Sequence, residues 1–84
     1  MTRRKIVFRE QAKSDLRSMD RVTAMHILQA LDRLSASNEG DVKRLQDVEP
    51  PEFRLRVGDY RLRYCIEDDT IVVLAVKHRS KAYR

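Results

Sequence analysis

Glycine, proline and cysteine are scarce in this chain: two glycines, two prolines and one cysteine among 84 residues, and no tryptophan. With Cys65 as the only thiol, no internal disulfide can form, and a reducing cytosol is the expected compartment. Gly40 and Gly58 are too few to build a glycine-rich phosphate loop. No apolar run approaches a membrane span, and Met1-Thr2-Arg3-Arg4-Lys5 leads straight into a strand-like segment rather than a signal-peptide core. Two histidines, one cysteine and scattered carboxylates lack metal-ligand spacing, so no metal or other cofactor is expected.

What the chain does have is charge. Charged residues make up 37% of it and the net charge is +5, which favours an acidic partner, nucleic acid or protein. Its length suits a single domain over residues 1–84, one that buries only about 60–65% of its unfolded surface around a small core.

The arginines are concentrated in one stretch, Phe53-Arg54-Leu55-Arg56-Val57-Gly58-Asp59-Tyr60-Arg61-Leu62-Arg63-Tyr64. Apolar and basic residues alternate on both sides of Gly58-Asp59, which reads as a β-hairpin closed by a two-residue type II′ turn. Pairing Val57 with Tyr60 sets Arg56 opposite Arg61 and Arg54 opposite Arg63. One face then carries Phe53, Leu55, Val57, Tyr60, Leu62 and Tyr64, and the other a square of arginines with no acid among them. Like charges placed directly opposite destabilise a sheet, so folding does not explain the square. A bound polyanion does, because guanidinium groups fork two hydrogen bonds onto phosphate oxygens and stay charged.

Around this hairpin the other elements follow in order. Lys5 to Phe8 is β-prone. Arg9 to Met19 is helical, with Ala12, Leu16 and Met19 on one side and Glu10, Lys13, Asp15 and Arg17 on the other. Asp20 is the expected N-cap of a second helix from Arg21 to about Ser35, with Thr23 a second candidate. Its stripe is Ala24, Ile27, Leu28, Leu31 and Leu34, His26 lies at the boundary, and Gly40 breaks the run. Asp41 to Glu52 reads as a loop with one turn of structure, stopped by Pro50-Pro51. Tyr60 to about Glu67 is a strand, Asp68-Asp69 a turn, and Thr70 to Val76 an interior strand paired with the first. The order β-α-α-β-β-β predicts an α+β two-layer domain, a helical hairpin on one face of a mostly antiparallel four-stranded sheet. The helices cover the Leu55/Leu62 side and leave the arginines open.

The tail Lys77-His78-Arg79-Ser80-Lys81-Ala82-Tyr83-Arg84 carries no acid. His78 exchanges protons near neutral pH, and cations beside Tyr83 favour its ionised form. If the tail folds over the open face, these two and the arginines make a site able to cleave RNA without a metal. The RNA 2′-hydroxyl is the nucleophile, and the arginines stabilise the charge of the transition state. A solvated tail with Tyr83 packed for stability is the other reading.

The sequence resembles the RelE/ParE superfamily of toxins from toxin–antitoxin pairs. The likeness runs through Ala12-Lys13-Ser14-Asp15-Leu16 and Lys43-Arg44-Leu45, and is strongest over Phe53 to Arg61 and His78 to Arg84. It implies a small cytoplasmic toxin neutralised by a cognate antitoxin, here expected to be an acidic, helical segment that screens the basic face. Operator DNA is then bound only through the antitoxin. In the RelE branch such toxins enter the ribosomal A site and cut mRNA, leaving a 2′,3′-cyclic phosphate. The motif carries this role onto Arg61 and Tyr83 as catalytic residues and onto Arg54 and Arg56 as phosphate-binding ones. Some members have lysines where this chain has Arg54 and Arg56, and arginine is a poor proton donor, which keeps these two to binding and charge stabilisation. His78 and Arg79 join the catalytic set, with Arg63, Lys77 and Lys81 binding phosphate. Which of Lys77, His78 and Arg79 faces the transition state is open. In the ParE branch the same scaffold inhibits DNA gyrase without cleaving RNA, and an inactive toxin kept as antitoxin partner is the third reading. Tyr83 and the sheet arginines favour RelE.

Overall fold

The computed structural model describes residues 3–82, with the side chains of Lys81 and Ala82 outside that description. Eight elements follow one another: β1 (Lys5–Phe8), α1 (Glu10–Arg17), α2 (Arg21–Ser37), β2 (Asp41–Arg44), β3 (Phe53–Val57), β4 (Tyr60–Glu67), β5 (Thr70–His78) and α3 (Arg79–Ala82). The strands form one sheet in the order β1-β5-β4-β3-β2. β5 pairs with β1 as expected, the two running parallel, and every other pair is antiparallel.

The α+β class holds, and the sheet has a fifth strand. β2 occupies a segment read as loop, because its sequence Asp41-Val42-Lys43-Arg44 is polar and wholly exposed and offers a single apolar residue. Backbone pairing to β3, with Val42 opposite Leu55, makes it a strand. Charged residues on such an outer strand oppose edge-to-edge association.

Asp20 caps α2 as expected: its carboxylate accepts from the Thr23 N–H at 3.2 Å and from the Thr23 hydroxyl at 2.6 Å. These bonds to the ionised form lower the Asp20 pKa. The helix runs two residues further than the sequence suggested and ends at Asn38, which takes the left-handed conformation at φ 58° and donates to Leu34 O. Gly40 serves a different purpose from helix breaking. It has φ 154°, and a Cβ there would sit 2.8 Å from Leu55 Cδ1, so the chain enters β2 hard against the core.

That core lies between the helices and one sheet face. Ile27, Leu31 and Leu34 of α2 and Ala12 of α1 meet Leu55, Leu62, Tyr64, Ile71, Val73 and Val76. Leu28, expected in the same stripe, is 45% exposed and points outward, and Ala30 takes its place inside. Phe53 stacks on Tyr64 with ring centroids 5.4 Å apart. Asp68 and Asp69 both have positive φ, 48° and 61°, which closes the β4–β5 hairpin with the twist the strands require.

Candidate functional site

The hairpin register is the one read from the alternation: Phe53↔Tyr64, Arg54↔Arg63, Leu55↔Leu62, Arg56↔Arg61 and Val57↔Tyr60. Gly58 has φ +57°, as the first position of a type II′ turn demands. Residues directly opposite share a face, and Leu55 and Leu62 are core, so the four arginines stand on the side away from the helices.

The neighbouring strands extend this face in two rows. β2 sets Lys43 opposite Arg54 and Asp41 opposite Arg56. β5 sets Lys77 opposite Arg61 and Ala75 opposite Arg63. The rows read Lys43–Arg54–Arg63–Ala75 and Asp41–Arg56–Arg61–Lys77, so these two rows hold one acid, Asp41, where the hairpin alone suggested none. Sequence pattern does not assign Lys43 and Asp41 to this face, because the polar, exposed run of β2 reads as loop. The alternation of Asp41 and Lys43 about Val42 was the signal.

The four arginines differ in setting. Arg56 and Arg63 are exposed and Arg54 is half-buried. Arg63 Nε lies 3.9 Å from Glu52 Oε1. Arg61 is the exceptional one, only 9% exposed. Its Nη1 donates to the carbonyls of Gly58 at 3.3 Å and Tyr60 at 3.2 Å, which folds the side chain back over the turn. Its Nε is buried and makes no hydrogen bond among the described residues. A buried cation with an unused donor is a high-energy arrangement that an anion would relieve.

Of the tail residues, Lys77 shares the arginine face. Its Nζ lies 2.9 Å from Asp15 Oδ1, and the other carboxylate oxygen, Oδ2, accepts from the Val76 N–H at 2.9 Å. Gln11 Nε2 also donates to Oδ1, at 2.9 Å. Burial pushes the Asp15 pKa up, but the bonds from Val76, Lys77 and Gln11 together outweigh it and the net shift is downward. Asp15 was read from sequence as part of the polar side of α1; it is buried against β5 instead.

His78 goes the other way. It lies opposite Tyr60, on the side of Leu62 and Val76, and the two rings meet edge to face with centroids 5.3 Å apart. Its Nδ1 accepts from the Ser80 N–H at 3.2 Å and lies 3.0 Å from Ser80 Oγ. By register it is therefore not gathered with the arginines. Arg79 starts α3 beside the hairpin turn: its N–H donates to Asp59 O at 2.7 Å, and its Nε lies 3.8 Å from Asp59 Oδ1. Lys81 follows within α3, and Tyr83 lies outside the described residues. Among the described residues, no three histidine, cysteine, aspartate or glutamate side chains converge to hold a metal ion. None of the described helices is long and apolar enough to cross a membrane.

Residues 6–83 match the family model described as the ParE toxin of the type II toxin–antitoxin system parDE. No curated protein matches the sequence. Among solved structures, the toxin–antitoxin complex RelBE2 of Mycobacterium tuberculosis contains a chain 30% identical, with a TM-score of 0.78 over 93% of this chain and 100% of that one. The archaeal RelE–RelB complex of Pyrococcus horikoshii OT3 gives 27% identity and a TM-score of 0.78, over 98% of this chain and 100% of the other. The RelB–RelE complex of Methanococcus jannaschii gives 25% and 0.75, over 92% and 94%.

Proposed function

The chain belongs to the ParE toxin family of type II toxin–antitoxin systems, within the RelE/ParE superfamily, and from that premise we propose that it is a ribosome-dependent mRNA endonuclease. The observation that carries this reading is Arg61, a buried guanidinium with an unused Nε beside exposed cations on an open sheet face. Arg54, Arg56 and Arg63, with Lys43 at the edge, hold the RNA backbone by its phosphates. Arg61 and Lys77, opposite each other on β4 and β5, flank the phosphate that reacts.

In the reaction the 2′-oxygen attacks phosphorus and the P–O5′ bond breaks. The products are a 2′,3′-cyclic phosphate and a 5′-hydroxyl. One proton leaves the 2′-hydroxyl and one reaches the 5′-oxygen, a transfer assigned to Tyr83 in the tail. The pentacoordinate transition state carries more negative charge than the diester, so fixed cations lower its energy more than that of the substrate. His78, turned toward Tyr60, has a structural part in this scheme.

The ribosome supplies the mRNA in a fixed conformation, and an acidic antitoxin covers the basic face in the cytoplasm and brings the toxin to operator DNA. The relatives from M. tuberculosis and P. horikoshii were solved with their antitoxins, which supports that partnership. The test is to mix the purified protein with ribosomes holding a defined mRNA and map RNA ends by primer extension, with naked mRNA as control. Cleavage inside the A-site codon, dependent on ribosomes, is expected; intact mRNA with folded protein refutes the reading.

The matching family model is itself that of ParE toxins, which favours a second reading, inhibition of DNA gyrase by binding. Blocked supercoiling with intact mRNA is its signature, and normal supercoiling at high protein concentration removes it.

A further inference from the structure

We propose that Asp15 of α1 is a positioning residue that aims the Lys77 ammonium at the RNA phosphate on the arginine face. The inference rests on the endonuclease reading and adds to it a residue from outside the basic surface.

The geometry begins at the sheet edge. β1 pairs with β5 only from Thr70 to Val73, so the later half of β5 has no strand beyond it. Asp15 fills that gap, and one carboxylate oxygen suffices to satisfy the Val76 N–H. The other oxygen holds Lys77 and is itself fixed by Gln11, one helical turn earlier. This second bond helps keep the buried carboxylate ionised, and it also fixes the lysine. Ordering a lysine costs side-chain entropy, which a partly exposed ion pair offsets only in part. Lys77 remains 41% exposed as a side chain, and Asp15 takes one of its three ammonium donors. Two stay available for phosphate oxygens, on a residue whose Cα stands opposite that of Arg61. Asp15 thus removes the freedom of a long flexible side chain without using up its donors. Such prior orientation is worth most in the transition state, where a misplacement of about 1 Å can cost a hundredfold in rate.

The experiment is a double-mutant cycle on ribosome-bound mRNA cleavage under single-turnover conditions, using wild type, Asp15→Asn, Lys77→Gln and the double variant. Asparagine keeps an oxygen for the Val76 N–H and removes the charge that orients Lys77. Circular dichroism and thermal melting establish that each variant is folded. Asp15→Asn is expected to lower the cleavage rate about tenfold with little change in half-saturating ribosome concentration, and the double variant to be no slower than Lys77→Gln. An unchanged rate in Asp15→Asn, or losses that multiply in the double variant, overturns the inference while leaving the endonuclease intact. If Asp15→Asn does not fold, Asp15→Glu keeps the charge and an acceptor for the Val76 N–H while shifting the carboxylate by one methylene. It is expected to slow cleavage only when Lys77 is present, and an unchanged rate overturns the proposal. If wild-type protein cleaves nothing, the endonuclease reading itself has failed and this inference falls with it.

Discussion

Arg56 and Arg61 stand directly opposite each other in the β3–β4 ladder, the first exposed and the second nine-tenths buried. Two guanidinium groups at that spacing repel, and the pair remains because the core-facing residues Leu55, Val57, Tyr60 and Leu62 dictate the register.

Removing one member therefore separates stability from function. Arg56→Ala is expected to leave the melting temperature unchanged or to raise it, by up to roughly 1 kcal/mol of relieved repulsion. The same variant should weaken RNA binding and flatten its salt dependence, since one phosphate contact fewer releases fewer counterions. Thermal melts and binding titrations at several salt concentrations check both. A destabilised Arg56→Ala with undiminished RNA binding contradicts the account. Arg61→Ala is expected to abolish toxicity while the protein stays folded, read by growth assays alongside circular dichroism.

Gly40→Ala is expected to destabilise the fold by about 1–3 kcal/mol, combining a strained φ with an overpacked contact. The added Cβ meets Leu55 Cδ1, a core atom with little room to retreat. Urea unfolding measures the loss, and a companion Leu55→Val substitution should recover part of it if the contact is the cause.

Acid should weaken the α1–β5 junction. The Asp15 pKa is lowered from 3.8 by folding, so its ionised form is the one the native state favours. The stability it contributes is present above about pH 4 and is lost as pH falls through that value and below. Denaturation followed from pH 6 to pH 2 should show a smaller decline for Asp15→Asn than for wild type. Equal declines would mean that other carboxylates govern acid unfolding.

Cys65 should react slowly with thiol reagents at neutral pH. Burial raises its pKa, and the neighbouring Glu67 raises it further, so little thiolate forms. Labelling in native buffer and in denaturant compares the two states, and a marked acceleration on unfolding is expected.

The sequence by itself determined the elements whose signal is local. Alternation about Gly58-Asp59 specified the hairpin register, because a slip of one residue would turn the two arginines of one strand into the core. Asp20 declared the start of α2, because a cap acts within one turn. The superfamily was legible in the same hairpin and tail. Tertiary structure decided what depends on partners distant in the chain. β2 is a strand only because β3 supplies its hydrogen bonds, and with it Lys43 and Asp41 join the basic face. Asp15 looked like one more solvated acid until β5, running 61 residues later, presented the Val76 N–H and the Lys77 ammonium. Lys77 and His78 are neighbours in sequence and opposite in orientation, since successive strand residues point to opposite faces and only the pairing with Arg61 and Tyr60 says which. Sequence pattern can specify periodicity; which face a residue serves is set by the strands and helices that fold against it.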